Sequence, residues 1–274
     1  VITMTLTLGL LGALIGSFLN VVIARVPAGR SVVRPASACG SCGGEIRWHD
    51  NVPVISWLLL RARCRDCGAP ISARYPLVEL GTALFFALVA VLFVPPVLTA
   101  VTPSEALASS LALVAYLYLA AISVALAAID LDVSRLPNKI VLPAYPVGIA
   151  LLGAAALLGG DLGRLGMAAI GMVAMFAVYL VLALVSPGGM GLGDVKLAGV
   201  LGLFTGWLGA APLIVGFFLP FLLGGAFSLA LLATGRATRK SGIPFGPWML
   251  AGAWGGILAG NAIASWYLEM FGLV

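Results

Sequence analysis

Residues 2 to 24 run for more than twenty positions without a charged side chain, and stretches of the same kind recur along most of this 274-residue chain. A bilayer core about 30 Å thick is crossed by about 20 helical residues rising about 1.5 Å each. Repeated runs of that length leave an all-α polytopic membrane protein as the fold class. Composition agrees: 62% of residues are hydrophobic and 9% charged, and the mean hydropathy of +1.14 lies outside the range of soluble domains. The 35 glycines suit helices that pack closely through small residues.

About eight transmembrane helices are predicted. The first covers Ile2 to Ala24, and the second runs from Pro76 to Val94, ended by Pro95-Pro96. The third and fourth span Ala106 to Ile129 and Ile140 to Leu158, and the fifth lies near Gly166 to Ser186. The apolar stretch Leu197 to Thr234 is too long for one crossing, and Gly206 to Pro212 divides it into a short sixth helix and a full seventh. After a break at Pro244 to Pro247, the eighth runs to about Glu269. Val1 to Ala24 lacks the basic start of a signal peptide, and its positive charges follow the apolar run. It is therefore expected to be a retained helix with its N-terminus outside.

A net charge of +5 would point to nucleic acid in a soluble protein. Here topology explains it, and no nucleic-acid partner is expected. If the polar stretch Arg25 to Tyr75 is cytoplasmic, so are the loops at 130–139, 187–196 and 235–244. Those regions hold fourteen of the fifteen Lys and Arg residues, and only Arg164 falls on the other side. Both termini are then outside, and Asp130 and Asp194 share the cytoplasmic face.

Within Arg25 to Tyr75, Cys39-Gly-Ser-Cys42 and Cys64-Arg-Asp-Cys67 form two C-x-x-C pairs, each followed by a glycine. Four thiolates at this spacing can close a tetrahedral zinc site with no open position, which marks a structural metal. Zinc would supply folding energy that a polar loop of this length cannot draw from a hydrophobic core. Free thiols and disulfides are the alternatives, and a cytoplasmic location disfavours the latter. His49, the single histidine, is expected to be a surface or packing residue, which makes a Ser-His-Asp or Cys-His mechanism improbable.

The stretch Gly188-Gly189-Met190-Gly191-Leu192-Gly193-Asp194-Val195-Lys196 holds an acid where a membrane helix meets water, and Asp130 has a similar setting. Carboxylates at that depth are costly, so they are usually functional or paired. Asp132 points away from Asp130 on a helix and is expected in the polar turn or as a cap. Two aspartates sharing a site divide their roles, because one ionises and the other keeps its proton. The first can take a proton from a water attacking a peptide carbonyl, and the second can donate to the carbonyl oxygen. Gly191 and Gly193 leave room for close approach. Lys196 is either a helper to a carboxylate or an anchor reaching lipid headgroups.

An ordered set of motifs resembles the bacterial type IV prepilin peptidases, a family of membrane aspartyl proteases. The set comprises Gly16-Ser17-Phe18-Leu19-Asn20-Val21, the two C-x-x-C pairs, Trp48-His49-Asp50-Asn51-Val52-Pro53 and the stretch from Ser72 to Leu80. It continues with Ile129-Asp130, Leu136-Pro137-Asn138, Gly189 to Lys196 and Ile243-Pro244-Phe245-Gly246-Pro247. The resemblance implies that Asp130 and Asp194 are the catalytic pair. It also implies that the substrates are prepilins and pseudopilins, cut just before a hydrophobic N-terminal helix at the cytoplasmic face of the bacterial inner membrane. It further implies N-methylation of the new terminus with S-adenosylmethionine. The expected domains are the first transmembrane helix at 1–24, a four-cysteine zinc-binding loop domain at 25–75 and a transmembrane protease core at 76–274. The departures are His49, where tyrosine is common in the family, and Trp248, where phenylalanine is usual.

Three other readings compete. One is a broader G-x-G-D intramembrane protease similar to presenilins. Another is a proton-coupled transporter relaying protons through Asp130 and Asp194, although no persuasive repeat links the two halves of the chain. The third is a non-catalytic assembly protein carrying a zinc module.

Overall fold

The computed structural model describes residues 1–185, 190–236, 238 and 242–272, which are helical apart from loops and two isolated β-bridges. Gly188, Gly189, Arg239 and Lys240 lie outside the described residues. The helices are α1 (Ile2–Arg25), α2 (Ile55–Leu59), α3 (Arg74–Leu98), α4 (Pro103–Val133) and α5 (Asn138–Gly159), then α6 (Leu162–Val185), α7 (Leu192–Trp207), α8 (Ala210–Ala233) and α9 (Gly246–Met270). Six of them, α1, α3, α4, α5, α6 and α8, are long and apolar enough to cross a membrane. The short α7, with 16 residues, and α9 are not in that set.

Several predicted boundaries move outward: α4 starts at Pro103, α6 at Leu162 and α7 at Leu192, so that Asp194 lies in a helix rather than in the expected 187–196 loop. Two further ends have a distinct cause. Pro95-Pro96 does not stop α3, which continues to Leu98. Each proline removes one N–H from the ladder, but its φ is a helical value, and the helix continues for only two residues beyond the pair. The N–H and hydroxyl of Thr99 both donate to the Pro95 carbonyl, each at 3.0 Å, and close the end. At the other site, α4 runs on to Val133, so Asp132 lies in its last turn rather than in a polar turn or cap. No breaker precedes Ser134, whose φ of +49° ends the helix while its N–H still reaches the Asp130 carbonyl.

The chain divides into two compact units, Val1–Ala125 and Leu126–Val274. In the first, α1 and α3 pack antiparallel through small residues. A Cβ at Gly12 would meet Phe86 Cβ at 2.7 Å, and one at Gly16 would meet Glu79 Cα at 2.7 Å. The Asn20 amide donates to the Tyr75 carbonyl at 3.1 Å, fixing the start of α3 beside the end of α1. The loop between them holds a 3-10 turn (Trp48–Asn51) and α2.

In the second unit, α6 and α7 run antiparallel with backbones in close approach. A Cβ at Gly202 would run into the Gly171 carbonyl oxygen, and one at Gly206 into that of Met167. The chain turns at Gly209, whose φ of +119° favours glycine, within the predicted break between the sixth and seventh segments. Gly252, Gly256 and Gly260 of α9 face Pro212, Gly216 and Pro220 of α8 in the same manner. The Tyr145 hydroxyl of α5 donates to the Lys196 carbonyl of α7 at 2.7 Å.

Candidate active site and metal centre

Asp130 and Asp194 both belong to the second unit, and each is held by a backbone N–H at the start of a helix. Asp130 lies near the end of α4 and is 4% exposed. Its Oδ2 accepts from the N–H of Gly246, the first residue of α9, at 3.0 Å. Asp194 sits in the first turn of α7, and its Oδ2 accepts from the N–H of Gly191 at 3.0 Å, half of a capping box. The α7 terminus also places partial positive charge beside this carboxylate.

Leu136 joins the two positions. A Cβ on Gly246 would lie 3.2 Å from Leu136 Cδ2, and one on Gly193 would lie 3.1 Å from Leu136 Cβ. Asp130 and Asp194 are within electrostatic reach of each other. Among the described residues the remaining oxygen of each carboxylate has no hydrogen-bond partner. Such a pair can accept a proton at one carboxylate and donate one from the other, with free oxygens for a water and a carbonyl group.

The other predicted site residues take structural places. Gly191 caps α7, and Gly193 allows Leu136 to approach. The Lys196 ammonium donates to Asn138 Oδ1 at 3.1 Å, linking α7 to the first residue of α5. Sequence reasoning misses Gly246 as a ligand to Asp130. The Ile243–Pro247 motif reads as a helix break, and a backbone donor leaves no side-chain signal.

The four cysteines of the first unit converge, with their sulfurs all within 4.8 Å of one another. Cys39 and Cys67 Sγ lie 3.8 Å apart. Four sulfurs at about 2.3 Å around a tetrahedral zinc stand about 3.8 Å apart, so the cluster fits the metal. Each C-x-x-C pair forms a small hairpin of the same design. Cys39 N–H donates to the Gly44 carbonyl at 2.9 Å beside an Ala38–Glu45 bridge, and Cys64 N–H donates to that of Ala69 at 2.8 Å beside an Arg63–Pro70 bridge. Gly43 and Gly68 adopt φ of +72° and +71° at the turns.

The backbone N–H groups of Cys42 and Ser41 pull the Cys39 thiol down to about 6. At Cys67 the N–H of Ala69 acts in the same direction but is outweighed by desolvation and the other three thiols, which push it up to about 12. Four thiolates at this separation need a cation between them.

His49 stands apart from the sulfurs, edge-on to Trp48 with ring centroids 5.5 Å apart. Its neighbour Asp50 takes a paired contact from Arg65, at 2.6 Å from the guanidinium and 2.8 Å from Nε, and that hydrogen-bonded guanidinium holds the Asp50 carboxyl below its ordinary range.

Comparison with known proteins adds the family. Residues 10–93 match the Bacterial Peptidase A24 N-terminal domain, and residues 117–229 match the Type IV leader peptidase family. A prepilin leader peptidase/N-methyltransferase from Aeromonas hydrophila is 36% identical over 96% of this chain and 93% of its own. Proteins of the same name from Myxococcus xanthus and Pseudomonas aeruginosa are 42% and 33% identical, over 84% and 96% of this chain and 64% and 93% of theirs. No solved structure matches the chain. The paired carboxylates, the four-cysteine loop and these end-to-end similarities carry one conclusion: the chain belongs to the type IV leader peptidase family.

Proposed function

We propose that this protein is a membrane aspartyl endopeptidase that removes the leader of prepilins and pseudopilins, with Asp130 and Asp194 as its catalytic pair. The observation that carries the reading is that Asp130 and Asp194 lie within electrostatic reach of each other, each steadied by one backbone N–H and each with an oxygen that has no partner among the described residues. The ionised member of the pair takes a proton from water as the water attacks the scissile carbonyl. The protonated member donates to the carbonyl oxygen; on collapse the first carboxyl passes its proton to the departing amine, and the second regains one from the gem-diol hydroxyl. The pair shares one proton, so the roles belong to the dyad.

Eight crossings, with α7 and α9 added to the six apolar spans, put both aspartates on the side that holds the basic loops. That arrangement supports cleavage at the cytoplasmic face of the inner membrane. A substrate helix lying in the bilayer would present its scissile bond there. Residues 25–75 act as a zinc-binding loop domain between the first two spans, and residues 76–274 as the protease core.

Methylation of the new N-terminus with S-adenosylmethionine is proposed from the relatives' names. A cleft of about 330 Å³ in the first unit, lined by Ser17, Arg25, Ser37 and Asn51 among apolar side chains, offers the methyl donor a single charged group. The guanidinium of Arg25 already donates to the Ser31 and Pro35 carbonyls, at 3.1 and 2.8 Å, which leaves it poorly placed for a ligand carboxylate. No methyl-transfer step is therefore assigned to residues. Family membership leaves the transporter and assembly-protein readings without support.

The test is leader cleavage of a purified prepilin in detergent by wild type, Asp130→Asn, Asp194→Asn and Asp132→Asn. Loss of roughly a thousandfold or more is expected for the first two variants, with Asp132→Asn active. Cleavage by both Asp130→Asn and Asp194→Asn would sink the dyad.

A further inference from the structure

We infer that Tyr179 is a positioning residue for Asp194, through a hydrogen bond from its hydroxyl that forms when substrate occupies the site. The inference rests on the dyad reading above. Tyr179 lies on α6, is fully buried, and its hydroxyl has no hydrogen-bond partner among the described residues. A buried hydroxyl without a partner is costly, and phenylalanine would fill the same space without that cost. A residue that retains the hydroxyl there is one whose partner is supplied at another stage.

Packing says where the hydroxyl stands. Along the antiparallel α6–α7 pair, Met167 faces Gly206, Gly171 faces Gly202 and Phe176 faces Gly199. One further turn on each helix sets Tyr179 opposite Val195, next to Asp194. Electrostatic contact between Tyr179 and Asp194 agrees with that register. The ring is walled by Phe217, Phe221 and Phe245, with centroids 5.9, 5.7 and 6.5 Å away. Phe245 in turn precedes Gly246, whose N–H holds Asp130. The tyrosine therefore sits near Asp194, in an apolar cage that offers its hydroxyl no partner among the described residues.

Asp194 has one oxygen committed to Gly191 and one free. A hydrogen bond from Tyr179 to one lone pair of the free oxygen would fix the plane of the carboxylate and leave the other lone pair for the reacting group. It would add to the rate without adding to the affinity for the prepilin. None of the motifs quoted above includes this position.

The experiment compares Tyr179→Phe with wild type for kcat, KM and thermal stability in detergent, using a purified prepilin, with Asp130→Asn and Asp194→Asn run alongside. The expected result is a kcat about 10- to 100-fold lower, KM within about twofold, and a Tm equal to or above wild type. Wild-type kcat in Tyr179→Phe, with both aspartate variants dead, overturns the inference and leaves the dyad intact. A loss of activity that tracks a lower Tm or a raised KM also overturns it, because the ring would then be structural. Cleavage by both aspartate variants removes the dyad and this inference with it.

Discussion

Gly246 N–H and Asp130 Oδ2 are 3.0 Å apart, and the space around that bond admits no side chain. A Cβ at position 246 would lie 2.7 Å from the same oxygen and 3.2 Å from Leu136 Cδ2. Gly246→Ala should therefore displace the carboxylate while leaving α9 intact, since alanine is a good helix former. Leader cleavage is expected to fall about 100-fold, as misplacement by an ångström does elsewhere, with Tm near wild type. Full cleavage by Gly246→Ala would show that this oxygen can move without consequence.

The metal site yields a second prediction. Zinc analysis of purified protein should find one ion per chain, and Cys39→Ser or Cys64→Ser should lose it. Without the ion the loop has four crowded thiols and few apolar contacts, so limited proteolysis should cut between α1 and α3. Acid should release zinc, because the thiolates that bind it regain protons as pH falls. Zinc-free protein that resists the protease to the same degree would show the loop to be stable by itself.

Much of the site is legible in the sequence because the two features that define it are chemically out of place. Asp130 and Asp194 interrupt apolar runs, and the four cysteines stand in regular pairs within the polar loop. The unread parts depend on contacts between distant residues. Gly246 acts through a backbone N–H that any residue but proline possesses, and Tyr179 in an apolar helix looks like any core aromatic. The end of α4 departs from expectation for a different reason. Charge marks where a chain meets water, whereas a helix stops only where its hydrogen-bond ladder is broken, and α4 carries Asp132 past the apolar run.

The α6–α7 interface predicts a steric effect with a built-in control. Gly202→Ala would drive a Cβ into the Gly171 carbonyl oxygen, whereas a Cβ on Gly225 of α8 meets nothing within 4 Å. Overpacking of this kind costs about 1–3 kcal/mol, and more where backbone is struck. Gly202→Ala should lower the Tm and the yield of folded protein, and Gly225→Ala should be neutral or slightly stabilising. Because α7 carries Asp194, cleavage should fall with the folded fraction. Equal stability of the two variants would mean that the helices can separate freely at this crossing.

Glu79, 8% exposed on α3, accepts the N–H of Val54 at 2.7 Å. Val54 has φ of +61° and ψ of −49°, an unfavourable conformation for a β-branched residue. A strained residue persists where its surroundings over-determine it, and here the carboxylate supplies the hold. Glu79→Ala leaves a part-buried N–H without its acceptor and should cost about 1 kcal/mol, whereas Glu79→Gln retains an acceptor and should cost less. Val54→Gly removes the steric penalty and should stabilise by about 1 kcal/mol, even in the Glu79→Ala background. Thermal unfolding of these four variants against wild type tests the pair, with Asp50→Asn as a loop variant that leaves this bond untouched. If Val54→Gly were destabilising, the side chain of Val54 would contribute more to packing than its backbone loses to strain.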